Sequence, residues 1–165
     1  MTYFEKLGVN DQERIEEMSS MAKAIVREHF DPLIGREQND YMISLFQTPE
    51  AVHSQLENGY RYYFVKEEGR NLGFLAFYPK GSDMYLSKFY LYKDERHKGH
   101  ASKMLEFVKK EAGKEGLEGI ILNVNRFNSA VESYLNMGFE IVREEKNDIG
   151  NGFFMDDYVM RFRLR

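Results

Sequence analysis

Apolar residues recur along this chain at two periods, and the switches between them divide it into elements. Residues 2–8, TYFEKLG, alternate over a span short enough for an edge strand. After the capping pair Asn10-Asp11, the residues Ile15, Met18, Ala22, Ile25, Val26 and His29 follow steps of three and four. That spacing predicts a helix with one apolar stripe, broken by Pro32 and Gly35. Residues 39–58 read as two short helices. Asn39 or Asp40 caps the first, and Thr48-Pro49-Glu50 opens the second with a capping oxygen and a proline at the first helical position. Gly59 stops it.

The period then changes to two. YRYYFVK (60–66), LGFLAFY (72–78) and MYLSKFYLY (84–92) are aromatic-rich strands, joined by EEGRN and PKGSD, which carry the glycines expected of antiparallel hairpins. A helix follows through Met104, Leu105, Val108 and Ala112, ending near Gly113 or Gly116. GIILNVN (119–125) is a β-branched run, too short for a helix and apolar enough for the centre of a sheet. Asn128 caps a short helix closed by Gly138, and FEIVREE and FFMDDYVMRFRL supply two last strands. The pattern predicts an α/β (α+β) fold: a mixed, mostly antiparallel sheet of about seven strands, four to five helices, and a strand–helix–strand unit at the centre.

Composition narrows the class. With 165 residues, 42% hydrophobic and 30% charged, and with no repeat or linker, the chain reads as one domain over 1–165. Aromatic residues make up 15%, which suits sheet packing. There is no cysteine, so no disulfide, thiolate metal site or cysteine nucleophile exists. The start carries no cationic, apolar leader and no apolar run nears ~18 residues, so the expected location is cytoplasmic, with no membrane partner. A net charge of −4 argues against nucleic acid as a general partner.

One stretch runs against local helix chemistry. In RHKGHASKML (96–105) basic residues stand at the front of a helix, where the dipole end is already positive. Unpaired N–H groups at such a start bind phosphate well. Gly99 lets a ligand approach the backbone, Ala101 presents almost no side chain, and Arg96 and Lys98 add charge-assisted contacts. The stretch lacks the Gly-Lys-Ser/Thr end of a P-loop, so a nucleotide triphosphatase is not expected. A solvated basic turn explains the same residues. The second element is the Asn128, Ala130, Tyr134, Gly138, Phe139 series.

Together, Arg96-x-x-Gly99-x-Ala101 after an aromatic strand and the later Asn128-to-Phe139 series resemble the GCN5-related N-acetyltransferase (GNAT) superfamily. The resemblance covers about Tyr60 to Leu164 and implies acetyl-CoA as cosubstrate, with no metal. It implies that Arg96, Lys98, Gly99, His100, Ala101 and Ser102 hold the pyrophosphate and pantetheine arm. It further implies that Phe89 and Leu91 bond the pantetheine through their backbone and that Asn128 contacts the cofactor. Tyr134 would then be the acid near the thioester sulfur. His100 departs from the usual hydrophobic residue, and either a phosphate contact or an exposed bystander fits it. The segment REHFDPLIGREQNDYM looks similar to bacterial polyamine-type acetyltransferases.

Acetyl transfer to an amine needs a base, or a water chain leading to one, because alkyl ammonium groups have pKa values near ~10. Glu28, His29 and Asp31 end the first helix on the expected acceptor side, although His29 also continues the apolar stripe and reads as a core histidine. Lys88 and Tyr90 lie on the cofactor strand and are within reach of the site. One of Asp156 and Asp157 should face inward and could pair with an ammonium group. The expected acceptor is a small-molecule or peptide amine, with Glu28, Asp31, Glu37 and Asp40 suited to a cation. A non-catalytic acetyl-CoA-binding regulatory module is the alternative. An aromatic edge strand near the C-terminus invites pairing of two copies as a homodimer.

Overall fold

The computed structural model describes residues 1–165. Strand β1 (Thr2–Lys6) is followed by helices α1 (Gln12–Ile34), α2 (Arg36–Phe46) and α3 (Pro49–Glu57). Strands β2 (Arg61–Glu67), β3 (Arg70–Lys80) and β4 (Asp83–Leu91) come next, then a 3₁₀ turn (Lys93–Glu95) and helix α4 (His100–Lys114). Strand β5 (Gly119–Asn125), helix α5 (Ala130–Asn136) and strands β6 (Glu140–Gly150) and β7 (Phe153–Arg163) complete the chain. The seven strands form one sheet in the order β1-β2-β3-β4-β5-β7-β6. β1 is an edge and β5 is central, as the alternation and the β-branched run predict. β4 and β5 are parallel across helix α4, and β7 lies between β5 and its hairpin partner β6.

Helix boundaries show where local chemistry decided the structure. Asp11 caps α1 by accepting from Arg14 N at 3.2 Å, and Thr48 caps α3 by accepting from Ala51 N at 3.1 Å. Pro32 does not break α1. It stands in the last turn, where the one hydrogen bond it forgoes costs least, and Gly35 ends the helix. Nor do Asn39 and Asp40 cap α2, which begins after Gly35. Asn39 is fully buried and donates to Val26 O (3.3 Å) and Asp31 Oδ1 (2.7 Å), so its amide joins two helices instead.

The chain forms two compact units: Met1–Tyr78 with Lys88–Met104, and Pro79–Ser87 with Leu105–Arg165. In the first, the predicted stripe Ile15, Met18, Ala22 and Ile25 packs with Tyr62, Phe64, Phe74 and Ala76 of the sheet. In the second, the buried residues include Leu105, Val108 and Ala112 of α4, Ile120 and Leu122 of β5, and Met160 of β7. The parallel pairing of β4 with β5 covers only Asp83–Tyr85 against Gly119–Ile121, although β4 continues to Leu91 and β5 to Asn125.

Candidate active site

In the first unit, the end of β4 leads into a turn built around one buried acid. Tyr92 N bonds Leu72 O at 2.9 Å, and the 3₁₀ turn then carries Glu95 inward, 5% exposed. Its carboxylate accepts from Arg70 and, at 3.3 Å, from Lys98 Nζ. These partners hold Glu95 below the usual carboxylate range, Arg70 foremost. The chain next takes a left-handed step at His97 (φ 63°) and another at Gly99 (φ 86°), and α4 starts at His100 with no acid in its first turn. A backbone turned this way at a helix start presents N–H groups to an anion.

The side chains sort themselves around that turn. Arg96 donates from Nε and Nη2 to Leu91 O at 3.3 and 3.2 Å, and its Nη1 lies 3.5 Å from His29 Nδ1. Lys98 and Ser102 are exposed, and Ala101 is half-buried. His100 is not an exposed bystander: it is buried, and its Nδ1 lies 3.3 Å from Thr2 Oγ1. Leu91 is buried and Phe89 half-buried.

Two glycines show whether the loop could take a ligand. A Cβ on Gly73 would meet Tyr90 O at 2.1 Å, so that glycine serves close approach of β3 and β4. A Cβ on Gly99 would meet nothing within 4 Å, so no internal packing requires the missing side chain. What remains at Gly99 is its left-handed backbone and open space above a basic helix start, which fits a phosphate.

In the second unit, Arg126 fixes the loop ahead of α5. It bonds Glu144 Oε1 at 2.6 Å and Asp156 Oδ1 at 2.8 Å, and its guanidinium lies 5.1 Å from the Tyr158 ring centroid. Asn128 is buried and sits one residue before the formal cap, Ser129, yet its Oδ1 accepts from Ala130 N at 2.9 Å. Helix α5 closes in a Schellman arrangement: Phe139 N bonds Tyr134 O at 3.0 Å and Gly138 N bonds Leu135 O at 3.1 Å, with Gly138 at φ 103°. That motif brings an apolar contact between its two ends, here the rings of Phe139 and Tyr134, 5.4 Å apart and edge-on. The Tyr-x-x-x-Gly-Phe spacing is thus a device that fixes the tyrosine ring.

A polar row crosses one face of the same unit. Tyr85 OH donates to Asn123 Oδ1 at 2.8 Å, and Asn123 Nδ2 lies 3.3 Å from Asp157 Oδ2 and 3.2 Å from Glu145 Oε1. Asp157 is 3% exposed, and burial raises its carboxyl above the ordinary range. Asp156 instead faces Arg126. The expectation that one of the pair points inward is met by Asp157.

Residues 30–161 match the family model described as an acetyltransferase (GNAT) domain. The chain belongs to the GNAT acetyltransferases. The PaiA N-acetyltransferase of Thermoplasma acidophilum, solved in complex with coenzyme A, matches it with TM-score 0.76 at 20% identity over 99% of both chains. A GCN5-related N-acetyltransferase of Rhodopseudomonas palustris matches with TM-score 0.81 at 16% identity, over 99% of this chain and 96% of its own. The ribosomal-protein-S18-alanine N-acetyltransferase of Escherichia coli matches with TM-score 0.69 at 16% identity, over 99% of this chain and 94% of its own. At these identities the likeness concerns fold. No curated protein sequence matches significantly. This GNAT protein is accordingly an acetyl-CoA-dependent N-acetyltransferase. No helix in it is long and apolar enough to cross a membrane.

Several acid–base candidates of this GNAT enzyme are engaged in structure. Glu28 Oε1 accepts from Lys93 N at 3.1 Å, and Asp31 takes Asn39 and lies 3.5 Å from Arg27 Nη1. Arg27 also bonds Asp40 Oδ1 at 2.6 Å, which offsets much of the acidity expected around α1 and α2. His29 is half-buried and not a core histidine: its Nδ1 lies 3.5 Å from Arg96 Nη1 and its ring stands edge-on to Phe30 at 4.7 Å. Tyr90 packs against Phe74, and Lys88 is buried away from solvent. Sequence reasoning missed Glu95. Its signal was an acid one residue before Arg96 and three before Lys98, at the i, i+3 spacing that lets it pair with the lysine.

Proposed function

We propose that this GNAT enzyme transfers the acetyl group directly to a primary amine of a small cationic molecule such as a polyamine, or of a peptide, as one N-acetyltransferase domain. The observation that carries the reading is the Gly99 turn: open space and left-handed backbone at the start of α4, flanked by Arg96 and Lys98. The names of solved relatives in fold run from a ribosomal-protein-alanine enzyme to an aminoglycoside 6'-acetyltransferase, so fold does not choose the acceptor. The acceptor class rests on this chain's own carboxylates.

Acetyl-CoA supplies the activated acyl group as a thioester. Arg96, Lys98 and the N–H groups from Gly99 to Ser102 hold its pyrophosphate, the backbone of Phe89 and Leu91 holds its pantetheine arm, and Asn128 adds a contact. Asp157 takes the proton that the acceptor ammonium must lose. A buried carboxylate with a raised pKa is a stronger base than an exposed one, and Glu145 beside it adds attraction for a cation. Tyr134 donates a proton to the departing thiolate. The expected aromatic edge is not there: the aromatic β7 lies inside the sheet, and the edge is the charged β6, which has no aromatic residue and resists pairing. A homodimer through this edge is tested by light scattering, with only monomer at high concentration the result against it.

The test is thiol release from acetyl-CoA with a panel of primary amines, polyamines and peptides, with products identified by mass. Transfer to a polyamine or a peptide amine supports the reading. Transfer only to hydroxyl acceptors contradicts it.

A further inference from the structure

Within the first unit, the exposed residues His97, Lys98 and Gly99 hang between two buried ones, Glu95 and His100. Both buried residues lead back to one end of the β2–β3 hairpin, where Glu67 and Arg70 face each other across the Glu68-Gly69 turn. On one side, Glu95 accepts from Arg70 through Oε2 and from Lys98 Nζ through Oε1, the latter at 3.3 Å. On the other, the Thr2 hydroxyl donates to Glu67 Oε2 at 3.4 Å, and His100 Nδ1 lies 3.3 Å from that hydroxyl. A hydroxyl has one proton, so with Glu67 taking it the histidine donates, from Nδ1. The loop is thus pinned at both ends while its three central residues stay open. The carboxylate is the unusual member. A negative charge next to a turn that takes an anion opposes binding unless a cation cancels it. Arg70 does so, and with Lys98 the cluster keeps one net positive charge. Arg70 and Lys98 are each more than half exposed, whereas Glu95 is buried.

We propose that Glu95 is a positioning residue for the cosubstrate: anchored on Arg70, its carboxylate holds the Lys98 ammonium in place for a phosphate of acetyl-CoA. The inference rests on the reading above that residues 96–102 take the pyrophosphate. An ammonium has three donors. One goes to Glu95 Oε1, and the exposure of Lys98 leaves the other two for a ligand. A free lysine side chain loses rotamer freedom when it grips a phosphate, which weakens binding by about three- to tenfold. A lysine already held by a carboxylate has lost that freedom on folding. Glu95 is the rigid side of the pair, because burial and the Arg70 bond limit its own movement. Two other roles give different results. A carboxylate that only competes with phosphate for Lys98 weakens binding, and one that only shapes the turn acts with or without Lys98.

The experiment is a calorimetric cycle: acetyl-CoA Kd for wild type, Lys98→Met, Glu95→Gln and the double variant, with circular dichroism to check each fold. Lys98→Met should raise Kd by about tenfold, the scale of one charged hydrogen bond. Glu95→Gln keeps the shape and removes the charge that holds the ammonium, so it should raise Kd by about three- to tenfold. The double variant should bind like Lys98→Met within about twofold, since Glu95 acts through the lysine. In turnover, the rise for Glu95→Gln should fall on the acetyl-CoA KM and not on kcat. Should Glu95→Gln fail to fold, Glu95→Asp decides. It keeps the charge but falls one methylene short of Lys98, so its Kd should rise and the rise should vanish beside Lys98→Met. Effects that multiply in the double variant, a Glu95→Gln Kd at or below wild type, or Lys98→Met at wild-type affinity overturn the proposal. Unchanged affinity in the variant Arg96→Ala, Gly99→Glu overturns the reading beneath it, a separate result.

Discussion

The ring of Tyr134 stands edge-on to Phe139 at 5.4 Å, and the Phe139 amide closes on the Tyr134 carbonyl at 3.0 Å. One turn of backbone therefore orients the side chain proposed as the acid. Gly138 makes that turn possible, at φ 103° and with a would-be Cβ 2.9 Å from Phe162 Cε2. Gly138→Ala should cost more than the ~1–2 kcal/mol of a left-handed alanine, because the methyl also displaces a ring. Gly99→Ala, with nothing within 4 Å, should cost about that backbone amount alone. Urea denaturation of the two variants checks the order.

Tyr134→Phe keeps the ring and its contact with Phe139 while removing the proton donor. General acid catalysis contributes ~10²–10⁴-fold, so kcat should fall by about that factor. Acetyl-CoA affinity should change little, since one weak hydrogen bond is at stake. Steady-state rates with a saturating amine measure it. A kcat within about threefold of wild type would mean that the thiolate, with an unperturbed pKa of ~8.5, leaves unaided.

Asp157→Asn separates chemistry from folding. The folded pKa of Asp157 lies above its unfolded value, so the folded state holds its proton more tightly. Its charge therefore weakens the fold once pH exceeds the unfolded pKa, and the penalty is absent in acid. Asparagine keeps an acceptor for Asn123 and removes the charge. The variant should match wild type near pH 4, exceed it near pH 7, and lose about 10²-fold in kcat/KM for the amine.

Lys88 gives the opposite kind of curve. Burial pulls its folded pKa down to about 7, below the ordinary lysine value of 10.5, so the unfolded chain binds more protons across that interval. Stability contributed by Lys88 rises with pH there, and the full burial penalty stands below it. Relative to Lys88→Met, wild type should gain about 2–3 kcal/mol between pH 7 and pH 9. Guanidinium titrations at the two values test the sign, and a constant difference would show that the ammonium is not penalised by burial.

What the sequence made legible was local. Asp11 and Thr48 cap helices within three residues of themselves, and the Tyr134-to-Phe139 spacing encodes its own turn. The alternation of residues 2–8 and the β-branched run at 119–125 fix an edge strand and a central one. What stayed hidden depends on partners far away in the chain. His100 meets Thr2 across 98 residues, and Lys88 meets Phe46 across 42, so no window of sequence around either shows its burial. Asn39 looked like a cap because its residue type caps helices, and tertiary hydrogen bonds to α1 claimed it instead. Glu95 stayed hidden for the same reason, since its leading partner, Arg70, stands 25 residues away in the chain and only Lys98 is close by.

The most direct measurement is a calorimetric titration of acetyl-CoA into wild type and the double variant Arg96→Ala, Gly99→Glu. The substitution at 99 sets a side chain and a negative charge in the open space over the start of α4, and the loss of Arg96 removes a forked donor. Wild type should bind with one site per chain, and the folded double variant should show no heat of binding. Unchanged affinity in a double variant whose circular dichroism matches wild type would contradict the assignment of residues 96–102 to the cosubstrate.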